Sequence, residues 1–390
     1  MNNVNKSNIF IGTILLLLIF LSVLKVLDFK FLNILGDFFL LGSLLLIFIF
    51  FLYQLSRSSR INKNTLKVVT PLLVLSFIYF ISSFSSLNPS ISLQRSLVIF
   101  LISLSFLFFF KIGSVDVDGV LKKQLTVLLS VIAISIFLLF MLNPSLQNVE
   151  LSFLNPNAFG IYVSLLYSCL IVVAEKKWRW LIFLTGLFFV FISSSRTSLL
   201  AFILFYSFIV FGGYIVRRKL LYSIIGLMII GVSILIIYLM AYIDITQYNE
   251  IVRAYTNKNL LSGRNEVWPY VLNLIHQKPY WGWGGGIDLS DLSLFNFSTH
   301  NFYLHTALQV GYSGVFLIFL FYFLLWNKIR EISDLSSLDM VNASALFIWL
   351  TTIQNFEVTL LQNNLAMSIP AICLIGYVMG KSSQIHQIRI

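Results

Sequence analysis

Apolar runs of roughly 15 to 24 residues recur along almost the whole chain, and a helix of ~20 residues rising 1.5 Å at each crosses a hydrocarbon core of ~30 Å. The pattern predicts about twelve membrane helices, at 8–26, 31–53, 68–86, 95–112, 125–142, 158–174, 180–194, 198–216, 220–243, 301–326, 341–360 and 362–380. Most polar interruptions between them are short, as expected where neighbouring helices are joined directly. One is not: the stretch from Asp244 to His300 gathers Arg253, Arg264, Trp268, His276, Trp281, Trp283 and His300.

Within that stretch Val267, Val271, Leu274 and Ile275 recur at helical spacing, and Lys278-Pro279 supplies a stop. Pro269 lacks the backbone donor that a helix interior requires, so the helix is expected to begin near Glu266 or to bend there. Its apolar face predicts packing onto the ends of the spans, as a lid or wall. A long loop in a compact helical protein is usually functional. With no internal repeat and no Gly/Ser- or Pro-rich linker, residues 1–390 read as one all-α polytopic membrane domain. Its large extracytoplasmic loop, 244–300, lies between the ninth and tenth spans and contains one short helix.

Composition strengthens the membrane assignment: 58% hydrophobic residues, 11% charged residues and a mean hydropathy of +0.92 leave no soluble core large enough to hide the apolar surface. Basic residues are retained on the cytoplasmic side. With an inner N-terminus, 18 of the 26 Lys and Arg fall in inner loops or at the termini, among them Arg57, Arg60, Lys122, Lys176, Arg217, Lys328 and Arg389. Both termini are thus expected in the cytoplasm and the long loop outside. The net charge of +11 then reflects topology and attraction to anionic membrane lipids, with no nucleic-acid partner implied. The first apolar run has no small-residue cleavage site and reads as a retained helix. Cys169 and Cys373 fall inside spans, where disulfide or metal roles are not expected.

Arg196, in Ser193-Ser194-Ser195-Arg196-Thr197-Ser198, stands at the outer end of a hairpin between two apolar spans. An arginine so close to hydrocarbon either snorkels to the interface or faces a polar cavity holding an anion. Arg264 lies near the start of the loop helix, where free N–H groups and a bidentate guanidinium suit phosphate oxygens; a pair with Glu266 is the plainer reading. His300-Asn301 comes where the loop re-enters the membrane. The imidazole can take a proton near neutral pH and the amide can orient it or a sugar hydroxyl, though a histidine at an interface is often structural. No ligand spacing for a metal surrounds His300 or His305, and no cofactor is implied.

Arg95, following Asn88-Pro89-Ser90, is a third candidate anion ligand. Gly282-Trp283-Gly284-Gly285-Gly286 lacks the ending of a nucleotide-phosphate loop, so Gly286 and its neighbours point to close approach of a ligand or to backbone mobility. Trp268, Trp281 and Trp283 can stack on sugar faces or anchor at the interface. Asp37 and Glu357 are intramembrane acids suited to proton coupling if the chain were a transporter. An outer face has no nucleotide supply, so a synthetic enzyme there needs a preactivated donor. Arginines, a histidine and aromatic rings together suit a lipid-linked diphosphate sugar.

Ser195-Arg196-Thr197-Ser198-Leu199-Leu200, Ser262-Gly263-Arg264 with Trp268, Pro279 with Gly282 and Gly284, His300-Asn301 with Leu304, and Gly311-Tyr312-Ser313-Gly314 resemble, in that order, the motifs of the O-antigen ligase and polymerase family. Its plan of twelve spans with a large loop after the ninth is similar across the whole chain. The resemblance implies a metal-independent glycosyltransferase of the GT-C type in a bacterial cytoplasmic membrane, with an undecaprenyl-diphosphate-linked oligosaccharide as donor. It implies Arg196 and Arg264 as diphosphate ligands and His300 as base or activator; Arg95, Trp268, Asn301, Trp283 and Gly286 are the substrate-binding candidates read from the residues themselves. Polymerase is favoured over ligase, with a lipid-linked oligosaccharide flippase or other transporter as the rival class. Flippase and chain-length regulator proteins are the expected partners.

Overall fold

The computed structural model describes residues 3–26, 30–56, 63–116, 118–142, 156–242, 250, 263–292, 298–331, 337–360 and 365–388. Arg57, Arg60 and Arg389, which enter the charge argument above, and Arg253 of the long polar stretch lie outside the described residues. Described helices follow each of the apolar runs: α1 Asn3–Leu21, α2 Lys30–Ser56, α3 Lys63–Ser82, α4 Pro89–Val115, α5 Val120–Leu142, α6 Pro156–Val173, α7 Arg179–Ile192, α8 Arg196–Val216 and α9 Lys219–Tyr242. After them come the loop helices α10 Arg264–Gln277 and α11 Leu289–Leu292, then α12 Phe302–Glu331, α13 Ser337–Gln354 and α14 Ile369–Ile388.

The protein is therefore all-helical and polytopic among the described residues. Among the described residues eight helices are long and apolar enough to cross a membrane: α1 to α5, α8, α9 and α12. The four other bundle helices, α6, α7, α13 and α14, miss that length or hydropathy for physical reasons. α7 has 14 residues, only ~21 Å of helix. The apolar parts of α6 and α14 are shorter than a full span. α13 carries Asn342, Ser344, Thr351 and Gln354 buried against protein, which lowers its hydropathy without exposing polar groups to lipid. α13 also stops at Gln354 rather than continuing to 360; Glu357 N–H still donates to Ile353 O at 2.9 Å, and the chain then leaves the helix.

The centre of the bundle is α4, packed against α14 and α3. Small residues make that contact possible, as in lipid, where close backbone approach replaces the hydrophobic drive. A Cβ on Gly376 would stand 2.7 Å from Phe106 O, and Cβ atoms on Gly113 and Gly380 would overlap Tyr377 O and Phe110 O. On the outside, Phe31, Phe38, Phe211 and Leu220 stay exposed, as side chains facing hydrocarbon do.

The loop helix α10 begins at Arg264, two residues before the expected start, and accommodates Pro269 in its second turn. Val267, Trp268, Val271, Leu274 and Ile275 are buried, packed with Ala241 of α9 and with Leu304, Ala307 and Leu308 of α12. The predicted apolar face thus docks on the ends of two long helices.

α12 is kinked at Val310 and Gly311, where Gly311 takes φ 74 and ψ −174. The break opens backbone groups that the glycine-rich segment 279–286 fills. Trp283 N–H donates to Leu308 O at 2.8 Å, Gly284 N–H to Gln309 O at 2.9 Å, and Tyr312 N–H to Pro279 O at 2.7 Å. Irregular backbone at membrane level is tolerated where protein satisfies it in this way. Gly311→Ala is expected to destabilise the protein by about 2 kcal/mol or more, through strain at positive φ and overlap with backbone, since the new Cβ would sit 2.3 Å from Tyr280 C and O. Thermal unfolding in detergent measures it; an unchanged transition removes the packing role given to this glycine.

Candidate functional site

Four pieces of backbone meet at one end of the bundle: the start of α8, the start of α10, the turn into α12 and the segment after α13. The turn Ser193–Ser195 closes the α7–α8 hairpin, with Ser194 at φ 54 and the Ser195 and Ser198 hydroxyls 2.7 Å apart. A Cβ on Gly160 of α6 would lie 2.5 Å from Ser195 Cβ, so the turn is pressed against α6. Arg196 then opens α8 with its side chain exposed, where helix-terminal N–H groups add to its attraction for anions.

Gly263, at φ 81, turns the chain into α10, and Arg264 is its first residue. The Arg264 side chain is folded in: Nη2 donates to Phe356 O at 3.0 Å, lies 4.0 Å from Glu357 Oε1, and the guanidinium carbon stands 5.8 Å from the centre of the Phe356 ring. Burial pushes this guanidinium below its usual pKa, the Glu357 carboxylate opposes that shift, and the charge of Arg196 adds to it. Arg196 and Arg264 therefore share one electrostatic neighbourhood. A polyanion placed between them would relieve both their repulsion and the burial penalty of Arg264.

His300 has φ 46, a left-handed conformation that non-glycine residues adopt rarely and that clusters at functional sites. Asn301 follows as the cap of α12: its side-chain oxygen accepts from Leu304 N–H at 2.9 Å, and its amide donates to Asn355 O at 2.9 Å. Rigidly anchored on one side, the chain turns the His300 ring toward Glu357, with Nδ1 3.4 Å from Oε2. His300 is partly open, at 37% side-chain exposure, whereas Glu357 is at 10%. A single carboxylate thus reaches the imidazole through one oxygen and Arg264 through the other.

Of the residues singled out from sequence, His300, Asn301, Arg264 and Arg196 come together here. Trp268 serves the site from beneath: it is fully buried, and its Nε1–H donates to Thr299 O at 2.8 Å, which fixes the residue preceding His300. It has no free face for a sugar. Trp268→Phe strands that carbonyl and is expected to cost about 1–3 kcal/mol of stability; melting curves in detergent check it, and a wild-type transition would refute the tether.

The other three are engaged elsewhere. Trp283 donates Nε1–H to Leu274 O at 2.9 Å and carries the Lys278 ammonium 4.1 Å from its ring centre; Trp281 is 71% exposed, beside the equally open Tyr280. Gly286 makes a close approach as expected of such a glycine, but to protein: a Cβ would overlap Asn88 O, and its N–H reaches Ser86 Oγ at 3.2 Å. Arg95 is buried and holds the same segment, donating to Gly285 O at 2.8 Å, to Ile287 O at 3.3 Å and to Asp288 Oδ1 at 2.9 Å. These contacts clamp the loop and place Arg95 in a different polar group from Arg264, one it shares with Tyr79, His305 and Gln309. Glu357 is the residue that sequence reasoning assigned to another role. The available signal was an acid within an apolar stretch directly after Gln354-Asn355.

Fold and site together define a polytopic helical membrane protein with a cationic, histidine-bearing cluster at one end of its bundle. Residues 181–319, from α7 into α12, match the family Wzy_C, described as O-antigen ligase. The resemblance read from the motifs is borne out there, and the matched stretch contains Arg196, Arg264 and His300; Arg95 and Glu357 lie beyond it. Among curated proteins none matches the chain.

Proposed function

We propose that the chain polymerises a bacterial surface polysaccharide, an O-antigen, capsule or exopolysaccharide, at the outer face of the cytoplasmic membrane. The donor is an undecaprenyl-diphosphate-linked glycan and the acceptor a second lipid-linked repeat unit. The observation that carries the reading is Glu357 bridging His300 and Arg264 beside Arg196, within and next to the family match.

In this scheme the acceptor hydroxyl oxygen attacks the anomeric carbon of the donor glycan. Its proton passes to the Nε2 side of His300 while Glu357 holds Nδ1–H and fixes the tautomer. The bond from the anomeric carbon to the diphosphate oxygen breaks, and the charge that develops on the leaving undecaprenyl diphosphate is met by Arg264 and Arg196. No step requires a metal ion.

The description of the matched family favours a second reading, ligation of a finished glycan to a lipid or protein acceptor. The lipid-linked material left when the gene is deleted separates the two. Single repeats stranded in the outer leaflet are the expected result for a polymerase, long stranded chains would establish a ligase, and repeats held on the cytoplasmic side would overturn both in favour of a flippase.

A further inference from the structure

At the end of α7 opposite Arg196, α5, α6 and α7 line an open groove of ≈ 590 Å³. Its wall is apolar, built by Ile134, Phe137, Leu170, Leu181 and Ile182. Two of the polar side chains on it turn away to backbone: Thr126 donates to Lys122 O at 2.9 Å, and Thr185 to Leu181 O at 3.0 Å. Such a lining offers little to a sugar or a soluble anion and much to a hydrocarbon chain.

Near one rim lysines outnumber the one charged side chain on the lining itself, Glu175. Lys122 stands one turn before Thr126 on the same face of α5, and Lys176 and Lys177 lie in the single turn Lys176–Trp178 that joins α6 to α7. The acids facing Lys122 are Glu175 and Asp339, whereas Lys381 and Arg179 add positive charge. Glu175 is matched by Lys177 at 3.1 Å. Arg179 is buried against Asn342 Oδ1 at 3.1 Å, so it contributes field rather than a contact. Trp178, 52% exposed, sits at the same level, as interfacial tryptophans do.

We infer that this groove holds an anionic phospholipid, with an acyl chain between α5 and α7 and its phosphate against Lys122, Lys176 and Lys177. Basic pockets between membrane helices are the sites that acidic headgroups select. A second copy of the chain fits less well, because a two-fold contact would set the same lysine-bearing rim against itself. The lipid would fill the space beside α7, whose 14 residues make it the shortest of the bundle helices.

The test uses the full chain in neutral detergent, titrated with phosphatidylglycerol or with phosphatidylcholine of the same acyl chains. Phosphatidylglycerol is expected to raise the unfolding temperature more than phosphatidylcholine. A photoactivatable phosphatidylglycerol is expected to label residues 130–137 and 178–185. The Lys122→Gln, Lys176→Gln, Lys177→Gln triple variant should weaken phosphatidylglycerol binding by about tenfold or more and leave phosphatidylcholine unaffected. Ser130→Phe, which fills the groove, should lose the labelling while keeping a single sharp elution peak. Equal stabilisation by both lipids, labels spread over the basic ends of every helix, or copy-to-copy cross-links at this face would each overturn the site.

Discussion

His300→Ala is expected to lower glycan transfer by about 10²- to 10⁴-fold, the range for loss of a positioned general base, while the protein still inserts and folds. The imidazole is partly exposed and contributes no core packing, so its removal leaves the Arg264 contacts with Phe356 O and Glu357 in place. Single lipid-linked repeats should accumulate as polymer disappears. Full-length polymer made by a well-expressed variant would remove His300 from the chemistry. Glu357→Gln supplies a graded companion: the amide oxygen still accepts Nδ1–H, but the charge that balances a protonated ring is gone. A loss smaller than that of His300→Ala identifies Glu357 as a positioning residue, and a change confined to KM would instead place it on the substrate.

Arg264→Ala is expected to reduce transfer by about 10²- to 10³-fold, the scale for removing one donor aimed at developing negative charge. Arg264→Lys should recover little of this. An ammonium offers a point charge, whereas the guanidinium can hold Phe356 O through one nitrogen and present the remaining donors in a plane to phosphate oxygens. The pair of variants is read on purified protein with a lipid-diphosphate-linked substrate, with inhibition by added diphosphate as a second readout. A lysine variant with wild-type turnover would exclude planar recognition, and an alanine variant still inhibited equally by diphosphate would move the leaving-group site away from α10.

Helix positions and the buried face of α10 were legible because both are written in periodicity. Apolar runs of fixed length have few solutions in lipid, and Val267, Val271, Leu274 and Ile275 could only face protein. What periodicity does not encode is which polar residues meet. Arg95, Arg196 and Arg264 are alike as sequence features, yet one grips Gly285, Ile287 and Asp288 while the other two share a neighbourhood. Glu357 reads as an intramembrane acid until α13 is seen to end at Gln354, which lets the carboxylate reach His300 across 57 residues of chain. Trp268 is ambiguous for a related reason: stacking and tethering need the same ring, and only the acceptor at Thr299 O distinguishes them.

The kink of α12 bears on how such proteins can be recombined. Because the segment from Pro279 to Gly284 is knitted into the carbonyls of Leu308 and Gln309 and the N–H of Tyr312, the loop that precedes α12 is no detachable cassette. A chimera that imports another protein's loop while keeping the host helix would lack the matching break, and one that imports the helix alone would leave its opened backbone bare in hydrocarbon. Specificity can therefore be exchanged only by moving both strips together, and natural variation in the two is expected to be inherited as a unit.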